Sequence, residues 1–229
     1  MNQPELIIFD CDGVLVDSEI IAARIEAELL TAAGFEISAE EISETYAGLT
    51  FKDIMLRLEE RSNIPFQASL IDQAEALVDR RLANEVRAVD GVHEAVAAVA
   101  TQYCICSNSA SSRLDAMLTK TRLKPHFEGR IFSALDTPSG KPKPAPDVFL
   151  FAAETMKAEP AQTFVIEDSV HGIAGARAAG MRVIGFTGGS HSYPGHADAL
   201  TDAGAETVIR RWGELKATLE AMAVWSDGA

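Results

Sequence analysis

The chain has 229 residues, of which 47% are hydrophobic and 24% are charged, as is usual for a globular protein with one sizeable core or a core and a small second domain. The formal net charge of −14 argues against nucleic acids and anionic membranes as partners. Since no apolar run is long enough to span a membrane and the three cysteines lack metal-ligand spacing, we expect a cytoplasmic protein with reduced thiols.

The first predicted strand is the apolar run at residues 6–9, which ends in the sequence Asp10-Cys11-Asp12-Gly13. The region that follows, residues 17–87, contains amphipathic helical patterns and no convincing strand. A strand-to-helix crossover needs far fewer residues than this. We therefore predict a helical cap domain at residues 17–87, inserted into a core domain made of residues 1–16 and 88–229.

Strand-like and helix-like segments alternate from Gly91 onward, which indicates right-handed βαβ units and a parallel sheet. The predicted fold class is therefore α/β, with a three-layer Rossmann-like core of parallel strands and an inserted helical-bundle cap domain. The predicted strands after the cap are 103–107, 130–133, 163–167, 182–186 and 207–209, and the predicted helices are 111–121, 145–156, 171–179 and 212–222.

Four carboxylates are predicted to meet at one edge of the sheet. Asp10 and Asp12 follow the first strand, and Glu167 and Asp168 follow the strand at 163–167. Ligands of open α/β sheets bind at the carboxyl ends of the strands. Carboxylates this close together cannot all stay ionised unless a cation or a proton intervenes. A set of hard oxygen ligands suits Mg²⁺, so the sequence predicts a magnesium site.

An anion site is predicted beside the carboxylates. Ser107 ends the strand at 103–107, and its hydroxyl with the amides of Asn108 and Ser109 lies at the amino end of the next helix, which attracts anions. Lys143 adds a positive charge; Lys141 competes with it, but the KPAPD pattern favours Lys143. A metal, an anion site and a lysine around a free carboxylate are typical of phosphoryl transfer to an aspartate.

These segments together resemble the haloacid dehalogenase superfamily, in the branch with a helical cap after the first motif. The resemblance extends over nearly the whole chain, with its motifs at residues 9–18, 107–109, 143–149 and 166–180. It implies a Mg²⁺-dependent phosphomonoester hydrolase that acts on a small sugar phosphate or sugar-acid phosphate through an aspartyl-phosphate intermediate. By this resemblance, Asp10 is the nucleophile and Asp12 is the general acid/base. The residues that bind phosphate are Ser107, Asn108 and Lys143. The metal ligands are Asp10, Asp168, the Asp12 backbone carbonyl and Glu167, the last directly or through water.

Two alternatives to hydrolysis remain open. A sugar phosphomutase resembling β-phosphoglucomutase would carry a cap histidine and a cap-loop arginine, and the matching positions here are Ala22 and Phe51, which favours hydrolysis. A non-catalytic phosphate-binding regulator would be expected to lack Asp10 or Lys143, and both are present. We expect a small phosphorylated substrate as the partner and a monomeric or homodimeric protein.

Two further segments carry expectations. Lys52, in the cap segment that begins at Gly48, would meet a substrate carboxylate or a second phosphate, or would be a solvated helix residue, and the sequence leaves both possibilities open. His191 and His196 could suggest a metal site, but they are expected to lie in an ordinary loop, because no carboxylate or cysteine completes the set.

Overall fold

The structure is a computed structural model that describes residues 4–46, 49–62 and 65–225. Its centre is one six-stranded sheet in the order β3-β2-β1-β4-β5-β6, in which every pair of neighbouring strands is parallel. The α/β fold class is therefore confirmed, and each predicted strand is present with bounds that agree within one residue. The strands are β1 (Leu6–Phe9), β2 (Gln102–Ser107), β3 (Ile131–Ser133), β4 (Thr163–Glu167), β5 (Arg182–Phe186) and β6 (Thr207–Ile209).

Helices account for most of the remaining described chain. Five of them come between β1 and β2, and the first four lie within the segment predicted to be a cap. The helices are α1 (Glu19–Ala32), α2 (Ala39–Thr45), α3 (Phe51–Ser62), α4 (Ser69–Glu85), α5 (Val92–Ala98), α6 (Ser111–Lys120), α7 (Lys124–Phe127), α8 (Asp147–Met156), α9 (Val170–Ala178), α10 (His196–Asp202) and α11 (Leu215–Trp225).

Helices cover both faces of the sheet, and β1 is accordingly apolar and buried at every position. Ile7 and Phe9 pack into one core cluster with residues of α5, α6, α7 and α11. Leu6 and Ile8, which point the opposite way, pack into a second cluster with residues of α8, α9 and α10. The result is a three-layer core of helices, sheet and helices.

The chain leaves the sheet after β1 and returns beside its point of departure. Val16 forms a bridge to Ala88, and the backbone amide of Asp17 donates to the carbonyl of Arg87 at 2.9 Å. Between these crossings, α1 to α4 surround an apolar cluster of their own, which includes Leu30, Ile54 and Leu58 among its most buried members. The helical segment therefore has its own core and lies above the carboxyl end of β1.

The helix predictions were less accurate than the strand predictions. The helix predicted to begin at Ala145 begins at Asp147, because Pro146 disfavours the helical conformation for the residue before it. Three short helices, α5, α7 and α10, were not predicted, since four to seven residues carry too little periodicity. None of the described helices is both long enough and apolar enough to cross a membrane.

Candidate active site at the carboxyl edge of the sheet

Three strands deliver polar residues to one edge of the sheet. Asp10 directly follows β1, and its backbone amide donates to the Ile166 carbonyl of β4 at 3.0 Å. Ser107 and Glu167 are the last residues of β2 and β4, the two strands that flank β1. The chain turns in opposite directions on the two sides of β1, so this crevice is the position where open α/β sheets bind ligands.

Lys143 lies at the centre of the site, with only 6% of its surface exposed. Its Nζ donates to Asp10 Oδ1 at 2.5 Å, to Glu167 Oε1 at 2.7 Å and to the Cys106 carbonyl at 2.7 Å. Burial alone would lower the pKa of the ammonium, but the two carboxylates outweigh it and raise this pKa well above its usual range. Lys143 is therefore held as a cation, whereas the competing Lys141 is exposed.

The side chain of Asn108 forms hydrogen bonds with the backbone of Lys143. Its Oδ1 accepts a hydrogen bond from the Lys143 amide at 2.8 Å, and its Nδ2 donates to the Lys143 carbonyl at 3.4 Å. The exposed Asn108 side chain thus joins the end of β2 to the loop before α8, and it positions the lysine that we predicted to hold phosphate.

Asp10, Glu167 and Asp168 form a buried acidic cluster, in which one oxygen of each lies within 4.8 Å of the others. Burial raises the pKa of Asp10 well above its usual value; Lys143 opposes this shift, and the neighbouring carboxylates reinforce it. Glu167 is fully engaged, because Oε1 accepts from Lys143 and Oε2 accepts from the amide and hydroxyl of Ser169 at 3.0 and 2.9 Å. Its geometry suits a supporting position or a contact through water.

The acidic cluster fits Mg²⁺. Among the described residues, Asp10 Oδ2 and Asp168 Oδ1 have no hydrogen-bond donor, so each offers a hard oxygen to a cation. Two glycines allow this crowding. A Cβ on Gly13, which has a φ of +76°, would lie 1.9 Å from Asp168 Oδ2, and a Cβ on Gly172 would lie 1.8 Å from Glu167 Oε1. Mg²⁺ bound here would offset the mutual repulsion of the carboxylates.

Asp12 is held by three hydroxyl groups. Ser18 Oγ donates to its Oδ1 at 2.8 Å, and Ser107 Oγ and Ser109 Oγ donate to its Oδ2 at 3.1 and 2.9 Å. The Ser109 amide, predicted to face the anion, donates to Ser107 Oγ at 2.9 Å. Ser107 therefore joins Asp12 to the predicted phosphate-binding end of β2, and Ser18 joins it to the start of α1.

The structure differs from the sequence-based expectation for the two histidines. His191 Nε2 lies 2.9 Å from Asp168 Oδ2, and His196 Nε2 lies 2.7 Å from the Asp168 backbone carbonyl. Burial would lower the pKa of His191, but the hydrogen bond and the charge of Asp168 prevail and raise it to about 9. His191 lies in a turn, as expected, and His196 is the first residue of α10; among the described residues neither belongs to a metal cluster. Their contacts with Asp168 were not expected, because Asp168 lies more than 20 residues away in the sequence.

A cleft of about 820 Å³ connects this edge of the sheet to the inserted helices. The core side contributes the groups described above, and the helical side contributes residues of α1, α2 and α4 with Leu49, Thr50 and Ile54. Lys52 is exposed on α3 and is not among the described residues that line the cleft, and Gly48 lies outside the described residues. Arg113 of α6 and Asp79 of α4 form a 2.6 Å ion pair across the cleft.

Comparison with known proteins places this geometry in a family. Residues 7–186 match the haloacid dehalogenase-like hydrolase family. A solved structure of a haloacid dehalogenase-like protein of unknown function from Agrobacterium tumefaciens is 58% identical, with a TM-score of 0.93 over 96% of this chain and 99% of that one.

Two curated relatives from Escherichia coli carry functional names. The 6-phosphogluconate phosphatase is 28% identical over 85% of this chain and 87% of its own length. Hexitol phosphatase B is 30% identical over 77% of this chain and 81% of its own length. With the family match over most of its length, the chain belongs to the haloacid dehalogenase-like hydrolases.

Proposed function

We propose that the protein is a Mg²⁺-dependent phosphatase that hydrolyses a small sugar phosphate or sugar-acid phosphate through an aspartyl-phosphate intermediate. The observation that carries the proposal is the single buried contact network of Asp10, Lys143 and Glu167, with Asp12 close to it. The two named relatives, both sugar-derivative phosphatases, support the same class of substrate.

In the proposed first step, the Asp10 carboxylate attacks the phosphorus atom, and the bond from phosphorus to the ester oxygen breaks. Lys143 binds Oδ1 of Asp10 and orients the carboxylate for attack. Asp12 gives its proton to the departing oxygen, so the product leaves as an alcohol. Bound Mg²⁺ would neutralise charge on the transferring phosphoryl group.

In the second step, the oxygen of a water molecule attacks the phosphorus atom. Asp12 accepts a proton from this water molecule. The bond between phosphorus and Asp10 breaks, which regenerates the free carboxylate and releases inorganic phosphate. The serine hydroxyls around Asp12 keep its carboxyl group in one orientation during both proton transfers. Closure of the helical segment over the cleft would exclude bulk water from the intermediate.

Phosphate release from a panel of phosphomonoesters, with and without Mg²⁺, tests the proposal. The panel includes 6-phosphogluconate, hexitol and hexose phosphates, phosphoglycolate, nucleotides and an aryl phosphate. We expect Mg²⁺-dependent release, loss of turnover with a retained fold in Asp10→Asn, and near-complete loss with trapped phosphoprotein in Asp12→Asn. Normal turnover of Asp10→Asn would refute the nucleophile assignment.

The same preparations separate the alternative functions. Interconversion of glucose 1-phosphate and glucose 6-phosphate without net phosphate release would identify a mutase. Binding of phosphate with no turnover of any ester would identify a regulator. The cytoplasmic location and the monomeric or homodimeric state stay predictions.

A further inference from the structure

The cleft has two chemically different walls. The core wall contains the cations Lys143 and Arg113. The opposite wall, which we call the cap wall, is formed mainly by one face each of α1 and α4. Both faces follow the spacing i, i+3, i+4, i+7 of a single helix side. The residues of these two faces are Glu19, Ala22, Ala23 and Glu26 on α1, and Glu75, Val78, Asp79 and Leu82 on α4.

The cap wall carries acidic groups and, among the described residues, no cations of its own. Within residues 17–46, 49–62 and 65–87, no lysine or arginine lines the cleft. Asp79 is already paired with Arg113 of the core. The carboxyl groups of Glu26 and Glu75 form no hydrogen bond or ion pair with the described part of the chain. These groups therefore remain available to a ligand.

The pKa of Glu26 shows that the cap wall disfavours a negative charge. Burial and, to a smaller extent, the charge of Glu19 raise it from 4.5 to about 8. A carboxylate at this position is therefore poorly solvated and lacks a compensating cation. A carboxylate or second phosphate on a substrate would meet the same unfavourable surroundings.

We propose that the cap wall selects phosphomonoesters whose remaining part is rich in hydroxyl groups and carries no negative charge. This inference rests on the proposed phosphatase function and narrows its substrate to neutral polyol or sugar phosphates. The phosphate would lie at the core wall near Lys143, and the cleft is continuous from there to Glu26. Hydroxyl groups can both donate to and accept from the carboxyl groups of this wall in either protonation state, whereas an anionic group can only accept hydrogen bonds.

A matched pair of substrates tests the inference in the wild-type enzyme. Glucitol 6-phosphate and 6-phosphogluconate have the same six-carbon chain and phosphate, and they differ in a hydroxymethyl or carboxylate group at carbon 1. We expect kcat/KM, measured with saturating Mg²⁺, to be at least about tenfold higher for glucitol 6-phosphate. A preference for 6-phosphogluconate would overturn the inference, and loss of that preference in Lys52→Ala would assign acid recognition to Lys52 instead.

A charge-reversal variant supplies the cation that the cap wall lacks. Glu75 is exposed to solvent along the cleft, so Glu75→Lys leaves the packing of α4 intact. We expect the ratio of kcat/KM for 6-phosphogluconate to kcat/KM for p-nitrophenyl phosphate to rise by about tenfold. Glu60→Lys is the matched control, because Glu60 is also exposed on the inserted helices but does not line the cleft.

The outcomes distinguish the selectivity of the cap wall from the proposed phosphatase function on which it rests. Equal kinetics of Glu75→Lys and Glu60→Lys on 6-phosphogluconate would overturn the role of the cap wall, while hydrolysis of p-nitrophenyl phosphate would leave the phosphatase function standing. No Mg²⁺-dependent phosphate release from any of the three esters would overturn both.

Discussion

Replacing Lys143 with methionine tests the charge balance on which the site depends. The substitution keeps a long apolar side chain but removes the ammonium that contacts Asp10, Glu167 and the Cys106 carbonyl. Two carboxylates, exposed by only 7% and 1%, would then lack their shared cation. Because solvent cannot replace it, we expect a large loss of stability as well as loss of activity.

The expected magnitude follows from the burial of the network. Removing one partner from a buried ionic network costs about 3–5 kcal/mol. For a chain of this length, 1 kcal/mol corresponds to a shift in Tm of about 2–4 °C. The Tm of Lys143→Met should therefore fall by roughly 6–20 °C in metal-free buffer at pH 7.5. Lys141→Met, two residues away at an exposed position, should change Tm by less than about 2 °C.

The pH dependence gives a second measurement in the same scanning calorimetry experiment. Asp10 already has a raised pKa in the folded state, and loss of the lysine would raise it further. Because the folded variant then binds more protons than the unfolded chain, its stability increases as the pH falls towards the unfolded pKa. The difference in Tm from the wild type should thus be smaller at pH 5 than at pH 7.5. A Tm within 2 °C of the wild type at both pH values would refute the reasoning.

Three other perturbations have defined outcomes. Gly13→Ala should destabilise the fold by about 1–3 kcal/mol, measured by urea unfolding, because the residue has a φ of +76° and its Cβ would lie 1.9 Å from Asp168 Oδ2. Addition of Mg²⁺ at about 100 times its Kd should stabilise the wild type by about 2.7 kcal/mol, and chelation should reverse this; an equal gain in Asp168→Asn would contradict the metal assignment. The ion pair of His191 with Asp168 should stabilise the metal-free protein fully below about pH 6.5. This contribution should disappear as the pH rises through about 9, the raised pKa of His191. The Tm of His191→Gln should therefore approach that of the wild type only in alkaline buffer.

Much of the fold could be predicted because its signals are local in the sequence. An apolar run such as Leu6–Phe9 indicates a strand buried on both faces, and carboxylates directly after it must lie at the sheet edge. Lys143 was predicted from its pattern, although its contacts with Asp10 and Glu167 join residues far apart in the chain. The sheet order brings Asp10 and Glu167 together, since β4 flanks β1, and Asn108 after β2 holds the Lys143 backbone beside them.

The contacts that were missed depend on tertiary approach. No residue near His191 in the sequence indicates that Asp168 would lie 2.9 Å away. Gly13 and Gly189 allow the approach: a Cβ on Gly189 would lie 2.6 Å from the Gly13 carbonyl and 2.7 Å from His191 Nδ1. Glycines at such positions make close contacts possible, but their partners become visible only in three dimensions.

The charges at the catalytic edge explain why a divalent cation and a phosphate suit the same site. Asp10, Glu167 and Asp168 face two cationic side chains, Lys143 and His191, so the formal excess is one negative charge when Asp12 is protonated. A phosphomonoester dianion alone would raise this excess to three in a buried space, whereas one Mg²⁺ ion offsets the dianion that accompanies it. Burial raises the pKa of Asp10, Lys143 opposes this shift, and the neighbouring carboxylates reinforce it. In the proposed mechanism, a bound cation would favour the ionised, nucleophilic form of Asp10 while an anionic substrate lies beside it.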